Sequence, residues 1–397
     1  MQYVKGSPYF CKSFENLNQY KYLNKDISTD ILIVGAGICG CILNYYLSKK
    51  HDVILIDKGR IGQGCTSCAT AILEYQLDDF YEDLQNEISK DEIIEIYKMG
   101  QNSIKKLEKF VKKHGNDCQF YKRPSFSYTT KQSNYQSFKK EFDLRKNNGF
   151  NCHFITKDNN PFPFNIECGI YDSKGGAEIN PYLFTKRLIE NSKNQDAIFE
   201  NTEFISMQSI DNKIYVQTSY GYTITCNKII FATGFNLEYI KDIKTIERFI
   251  TYTIITSPQI NFEWYNRATI HDDNDPYHYL RLLPDNRIIF GGEDIPFKDK
   301  NFSSKKAEQN YEKLYNSLLE LFTEQKNNLN IDYKFCGCFG STSNNLGLIG
   351  ETKIDNVYAF YSCGANGIVN ALYGVDLIED IFNHKENKLT HLFCPIR

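Results

Sequence analysis

The clearest pattern along the chain is an unbroken apolar run, Ile31–Val34, that gives way to glycines and is followed by a second run at Val53–Ile56. Short apolar runs bounded by turn signals fit strands buried on both faces, as in parallel sheets. Between them Gly35-Ala-Gly37-Ile-Cys-Gly40 opens a helix-like segment, and the second run ends on Asp57. Strand, glycine turn, helix, strand and terminal acid in this order make the dinucleotide-binding βαβ fingerprint. Gly35 permits the tight turn, Gly37 lets the backbone approach a pyrophosphate, and Gly40 lets helix and strand pack closely. The helix N-terminus offers unpaired N–H groups to the phosphates, and Asp57 can accept hydrogen bonds from the adenosine ribose.

The pattern then changes period several times. Residues 91–113 place Ile93, Ile94, Tyr97, Ile104, Leu107, Phe110 and Val111 among lysines and glutamates, which predicts a long amphipathic helix. Residues 118–129 are strand-like, and Asn180-Pro181 pairs a capping residue with a helix-starting proline. Short alternating segments at Ile198–Phe199, 203–210, 214–218, 222–226 and 228–232 predict successive strands. Segments 249–256, 277–283 and 287–291 continue the β pattern, the last two joined by the turn Pro284-Asp-Asn-Arg287. A helix over 303–324, a strand over 357–362 and a helix over 368–382 complete the expectation. A polar loop with glycines spans residues 59–70. Small-residue turns follow the strands at Ala232-Thr233-Gly234 and Ser362-Cys363-Gly364-Ala365-Asn366-Gly367, where backbone could approach a ligand. Each by itself is only a turn.

At 397 residues the chain is long enough for two domains, and a hydrophobic content of 41% supplies sizeable cores. The formal charge of −3 implies no nucleic-acid or anionic-membrane partner. Residues 1–28 contain no apolar leader, and the run from Ile31 to Leu43 is too short to span a bilayer, so a soluble cytoplasmic protein is expected. The 13 cysteines are odd in number and scattered through predicted strands and helices, which suits reduced thiols better than disulfides. Cys65-Thr-Ser-Cys68 and Cys336-Gly-Cys338 lack a second pair or a nearby histidine, so no metal is expected.

Several segments taken in order resemble the FAD-dependent superfamily of D-amino-acid oxidase, glycine oxidase and sarcosine oxidase. They are DILIVGAGICG with Asp57, IGQGCTSCATA, GGAEINPYLFTKRL, the NTEF segment, IIFATGF, HYLRLLPDNRIIFGGED, and GSTSNNLGLIG with SCGANGI. The resemblance implies an α/β fold: a Rossmann-like FAD-binding domain of the glutathione-reductase type, interleaved with a substrate domain built on an antiparallel sheet. On that basis residues 1–85, 150–245 and 330–397 form the FAD-binding domain, and 86–149 with 246–329 the substrate domain. Gly35, Gly37 and Gly40 line the pyrophosphate; Asp57 holds the ribose with Lys58 adjacent. Thr66 and Ser67 lie by the pyrophosphate and flavin, Phe204 meets adenine through its main chain, and Ala232, Thr233 and Gly234 pass the ADP half. Gly364, Ala365, Asn366, Gly367 and Ile368 sit under the flavin N1–C2 carbonyl edge, where the helix dipole would stabilise negative charge on the reduced ring. The same residues also fit a helix that merely closes the sheet.

The chain departs from its relatives at Asn344–Gly350, where many carry an Asp-x-x-Pro segment. Neither Cys336 nor Cys338 falls on the family's flavin-linking cysteine, so FAD is expected to be non-covalent. Family chemistry implies oxidation of the C–N bond of an amino acid or amine, with an electron acceptor that the sequence does not identify. The alternatives are a dehydrogenase of a 2-hydroxy acid or glycerol-phosphate-like substrate, and a non-catalytic flavin-binding protein. For the substrate carboxylate the candidate is Arg281, with Tyr279 on the same strand face and Tyr252 as a further aromatic wall. Arg281 equally fits a structural ion pair on the sheet.

Overall fold

A computed structural model describes residues 4–12, 19–236, 238–240, 243–260, 262–298, 304–362, 364 and 366–396. Two sheets organise it. The smaller has parallel neighbours at its centre, in the order Val357–Tyr361, Thr223–Phe231, Ile27–Val34, Val53–Ile56 and Ile198–Phe199. Ile31, Leu32, Ile33 and Val34 are all buried because helices cover one face and a Phe204/Phe231/Ile214 cluster the other, which is why this strand carries no polar alternation. The helices Ile38–Leu47 and Gly367–Phe382 pack side by side on that first face. Thr223–Phe231 is one strand where two segments are expected; at the junction the Asn227 side-chain amide donates to Asp30 of the neighbouring strand.

The larger sheet has ten strands. Its centre runs Ile331–Ser341, Glu247–Thr256, Ile288–Pro296, His278–Leu282, Thr269–Asp272, Tyr121–Thr129, Cys168–Glu178 and Ile72–Glu74. All these neighbours are antiparallel except Thr269–Asp272 beside Tyr121–Thr129. The Ser304–Leu321 helix lays Tyr311, Leu314 and Leu318 on one face, against Tyr252, Ile254, Leu280 and Phe290. The opposite face carries Thr253, Tyr279, Arg281 and His271 and looks toward the 59–70 loop, where Arg281 meets the Thr70 carbonyl. Strands Cys168–Glu178 and Ile331–Ser341, assigned from the sequence to the FAD-binding domain, pair within this larger sheet. The long helix expected over 91–113 spans Lys90–His114, started by a Ser89/Glu92 capping box. Among the described residues no helix is long and apolar enough to cross a membrane.

Candidate active site

The glycine turn is held by backbone crowding. Gly35 has φ +105°, and a Cβ there would lie 2.5 Å from the Ala232 carbonyl oxygen. A Cβ on Gly40 would sit 1.8 Å from the Gly35 carbonyl oxygen, so helix and strand approach as only glycine permits. Gly37 is different: its Cβ would face only the Thr66 hydroxyl at 3.4 Å, which leaves a cradle at the helix start. Thr66 accepts a hydrogen bond from the Ile38 N–H at 2.9 Å, fastening the second loop to the first turn of that helix. Ser67 closes its own turn by donating to the Gly64 carbonyl at 2.8 Å. Thr66→Val should therefore cost about 1 kcal/mol of apoprotein stability, as for a lost cap, and should weaken flavin binding as well; chemical denaturation and flavin titration would measure the two effects.

Asp57 accepts the Ala36 N–H at 2.7 Å and the Gly59 N–H at 2.8 Å. Burial raises its pKa while those two N–H groups pull it down. With about four acceptor positions on a carboxylate, two remain for ribose hydroxyls. Lys58 is exposed beside it. Ala232 donates to the Val34 carbonyl at 2.8 Å, Thr233 donates to the Asn236 carbonyl at 2.9 Å, and Gly234 has φ +69°. Phe204 is buried, edge-on to Phe231 and Tyr239.

The C-terminal turn is tied to the larger sheet. Gly364 has φ +78° and donates to the Gly340 carbonyl at 2.9 Å. Asn366 uses its amide like an added piece of strand: Oδ1 accepts the Glu74 N–H and Nδ2 donates to the Gln76 carbonyl, each at 3.0 Å. That leaves the Gly367–Phe382 helix with no side-chain cap, its first N–H groups available to an acceptor, and Ile368 buried behind them. Ala365 lies outside the described residues. Across the gap, the Cys39 thiol and the Ser362 hydroxyl are 2.8 Å apart, and burial keeps the thiol protonated. A cradle at Gly37, a ribose acceptor at Asp57 and an uncapped helix start at Gly367 fit an ADP-linked flavin.

The sheet face opposite this turn is polar and aromatic. The Tyr277 and Tyr279 rings lie 5.6 Å apart, and the Tyr279 hydroxyl meets Thr251 Oγ1 at 2.8 Å. His271 Nδ1 stands 3.3 Å from Glu74, whose other oxygen accepts from Thr269 at 2.7 Å. Burial drives the Asp294 carboxyl up from 3.8 to about 7, opposed by a Thr251 hydrogen bond. The folded state thus holds a proton that the unfolded chain has already released between about pH 4 and 7, so stability falls as pH rises through that window. Asp294→Asn should flatten the slope and leave the apoprotein more stable than its parent at about pH 8, as urea unfolding at two pH values would show.

Residues 30–379 match the family described as FAD dependent oxidoreductase (DAO). The chain belongs to that family. This FAD-dependent oxidoreductase is similar to the putative Rieske 2Fe-2S iron–sulfur protein YhfW of Bacillus subtilis, at 22% identity over 98% of this chain and 75% of the relative. In fold it is similar to the L-proline dehydrogenase of P. horikoshii, at TM-score 0.79 and 19% identity over 94% of this chain and 98% of that one. It is also similar to the glycine oxidase of Geobacillus kaustophilus, at TM-score 0.77 and 16% identity over 93% and 99%.

Two of the sequence-predicted substrate contacts of the oxidoreductase are engaged in packing. Arg281 is 2% exposed and fully engaged: Nε donates to the Thr70 carbonyl at 2.8 Å, one terminal nitrogen to the Ile179 carbonyl at 3.1 Å, and the other to Glu178 at 3.4 Å. It is the structural ion pair, not an open carboxylate anchor. Tyr252 points to the other sheet face, edge-on to Tyr311 beneath the Ser304–Leu321 helix, because its strand neighbours Thr251 and Thr253 take the site-facing positions. Arg281 shares the face of Tyr279 but its guanidinium is taken up by Thr70, Glu178 and Ile179, so of the three only Tyr279 is left to the site. The sequence reading missed Asp294, Asp78, His271 and Gln76. The GGED segment was in view, but its alternation does not reveal which acid faces the site. Among the described residues no group of three or more His, Cys, Asp or Glu side chains could hold a metal ion.

Proposed function

We propose that the protein oxidises a C–N bond of an amino acid or amine, with FAD held non-covalently between the glycine turn and the Gly364–Ile368 turn. When bound, the flavin supplies a two-electron acceptor that takes hydride at N5. The chain's own residues bind and orient. Gly35, Gly37, Gly40 and Thr66 cradle the pyrophosphate, Asp57 takes the ribose, and the start of the Gly367–Phe382 helix faces the developing negative charge. Tyr277 and Tyr279 wall the substrate space and exclude water. The observation that carries the reading is the tie made by Asn366, which joins the flavin-facing turn to the Glu74–Gln76 edge of the substrate-facing sheet. The proline and glycine named for the two structural relatives support a C–N substrate. Cys336 packs with Tyr252 and Tyr311 on the far face, and burial lifts the Cys338 thiol to about 12, which supports a non-covalent cofactor. We take the smaller sheet with its helices as the FAD-binding unit and the larger as the substrate-binding one.

The test is product analysis. Turnover should form one imine for each pair of electrons delivered to an added acceptor, recovered as a carbonyl compound with its amine or ammonia, or with the nitrogen kept in the product when the substrate is cyclic. Turnover confined to nitrogen-free alcohols or hydroxy acids would overturn the assignment.

A further inference from the structure

The site face holds acids that the reaction, as assigned so far, does not use. A β-bulge puts one of them there. Ile250 pairs with Ile295 and Tyr252 with Gly292, so Glu293 and Asp294 together oppose Thr251. Glu293, with φ +56°, turns to Lys313 at 2.9 Å and His278 at 3.6 Å, on the helix-covered side. Asp294 is left on the face of Thr251, with which it hydrogen-bonds, and of Tyr279, which shares the Thr251 hydroxyl. Its Oδ1 is sealed from solvent and has no hydrogen-bond partner among the described residues. The Gln76 amide oxygen, on a residue 3% exposed, is likewise without one, because its nitrogen is committed to Glu74. Asp78 faces them from the cofactor side, its Oδ2 3.4 Å from where a Gly364 Cβ would lie.

Among the described residues, the cations beside this face are paired with acids. Arg281 and Arg123 share Glu178, and His271 stands against Glu74. Arg281 also lies four residues along the chain from Tyr277, about 13 Å at a strand's rise of roughly 3.3 Å per residue.

We infer that the site selects its substrate by an ammonium group held between Asp294 and Asp78, and does not require a carboxylate on the substrate. This rests on the assignment of the face as the substrate site. The expected class is a primary or secondary alkyl amine. The Tyr277 and Tyr279 rings, 5.6 Å apart, are aromatic neighbours of the kind that favour a cation, and the unpartnered acceptors on Asp294 and Gln76 match ammonium N–H donors. Asp294 then takes one proton from the ammonium nitrogen, becoming a neutral carboxylic acid and leaving the amine lone pair free for oxidation. Its pKa of about 7 suits that exchange; the facing groups are Thr251, Asp78, His278, Glu293, Tyr277 and Tyr279.

The experiment titrates the FAD-loaded enzyme with two inert isosteres, tert-butylamine and pivalate, and follows the flavin spectrum. Neither has a hydrogen on the carbon that would be oxidised, so binding is read without turnover. Tert-butylamine should perturb the spectrum and pivalate should not. Asp294→Asn and Asp78→Asn should each weaken the amine by about ten-fold or more, the weight of one charge-assisted hydrogen bond. A spectrum that responds to pivalate and not to the amine, or amine binding unchanged in both variants, overturns the inference. Turnover of proline or norvaline alongside either of those results would leave C–N oxidation standing, while amine binding without turnover of any amine would sink C–N oxidation and leave the ammonium site.

Discussion

Gly40→Ala is expected to purify without flavin. The new methyl carbon would lie 1.8 Å from the Gly35 carbonyl oxygen, and that carbonyl belongs to a turn fixed on its other side by Ala232, 2.5 Å from a Gly35 Cβ position. Ordinary overpacking costs roughly 1–3 kcal/mol, but here the yielding atom is backbone. The helix must therefore move off the strand, taking with it the Ile38 N–H that Thr66 holds. Gly37→Ala makes the informative contrast. Its Cβ meets nothing nearer than the Thr66 hydroxyl at 3.4 Å, so the apoprotein should keep its melting temperature while flavin affinity falls. Visible absorbance and thermal unfolding on both variants would separate a broken turn from a filled cradle. An alanine at 40 that retains bound flavin would show that the turn does not hold the cofactor as described.

Arg281→Met should unfold far more easily, and it should do so without the signature of a lost substrate anchor. Removing one partner of a buried ion pair costs about 3–5 kcal/mol, because the other charge stays buried. Here the loss also strands the Thr70 and Ile179 carbonyls that the guanidinium satisfies. Arg123 still reaches Glu178 at 2.8 Å, which should keep the cost toward the lower end. In the fraction that folds, KM for a carboxylate-bearing substrate should stay near the parent value. A large rise in KM at unchanged denaturation midpoint would restore Arg281 to the substrate.

What could be read from the sequence divides by distance along the chain. The glycine turn was legible because Gly35, Gly37, Gly40 and Asp57 act within one βαβ unit, and the Asn180-Pro181 helix start and the Pro284–Arg287 turn are local in the same way. The partners that decide function are remote. Arg281 is matched with Glu178 across 103 positions, and Asn366 with Glu74 across 292, and no pattern in either segment announces the other. Asp294 was hidden for a different reason: strict alternation would put it on the helix-covered face, and only the bulge opposite Thr251 reverses that. The Cys168–Glu178 strand was not singled out in the sequence, because Lys174, Gly175 and Gly176 interrupt its apolar pattern. It forms because both neighbours, Tyr121–Thr129 and Ile72–Glu74, supply ladder partners, and because bulkier residues would clash, as at Gly175 against Ser125.

The central claim is that this flavoprotein face accepts a C–N substrate. Anaerobic addition of matched amines, amino acids, 2-hydroxy acids and glycerol phosphate to the flavin-loaded protein tests it most directly. The account predicts that the visible flavin band bleaches with at least one amine or amino acid and with none of the hydroxy compounds. Bleaching by a hydroxy acid or glycerol phosphate alone would contradict it.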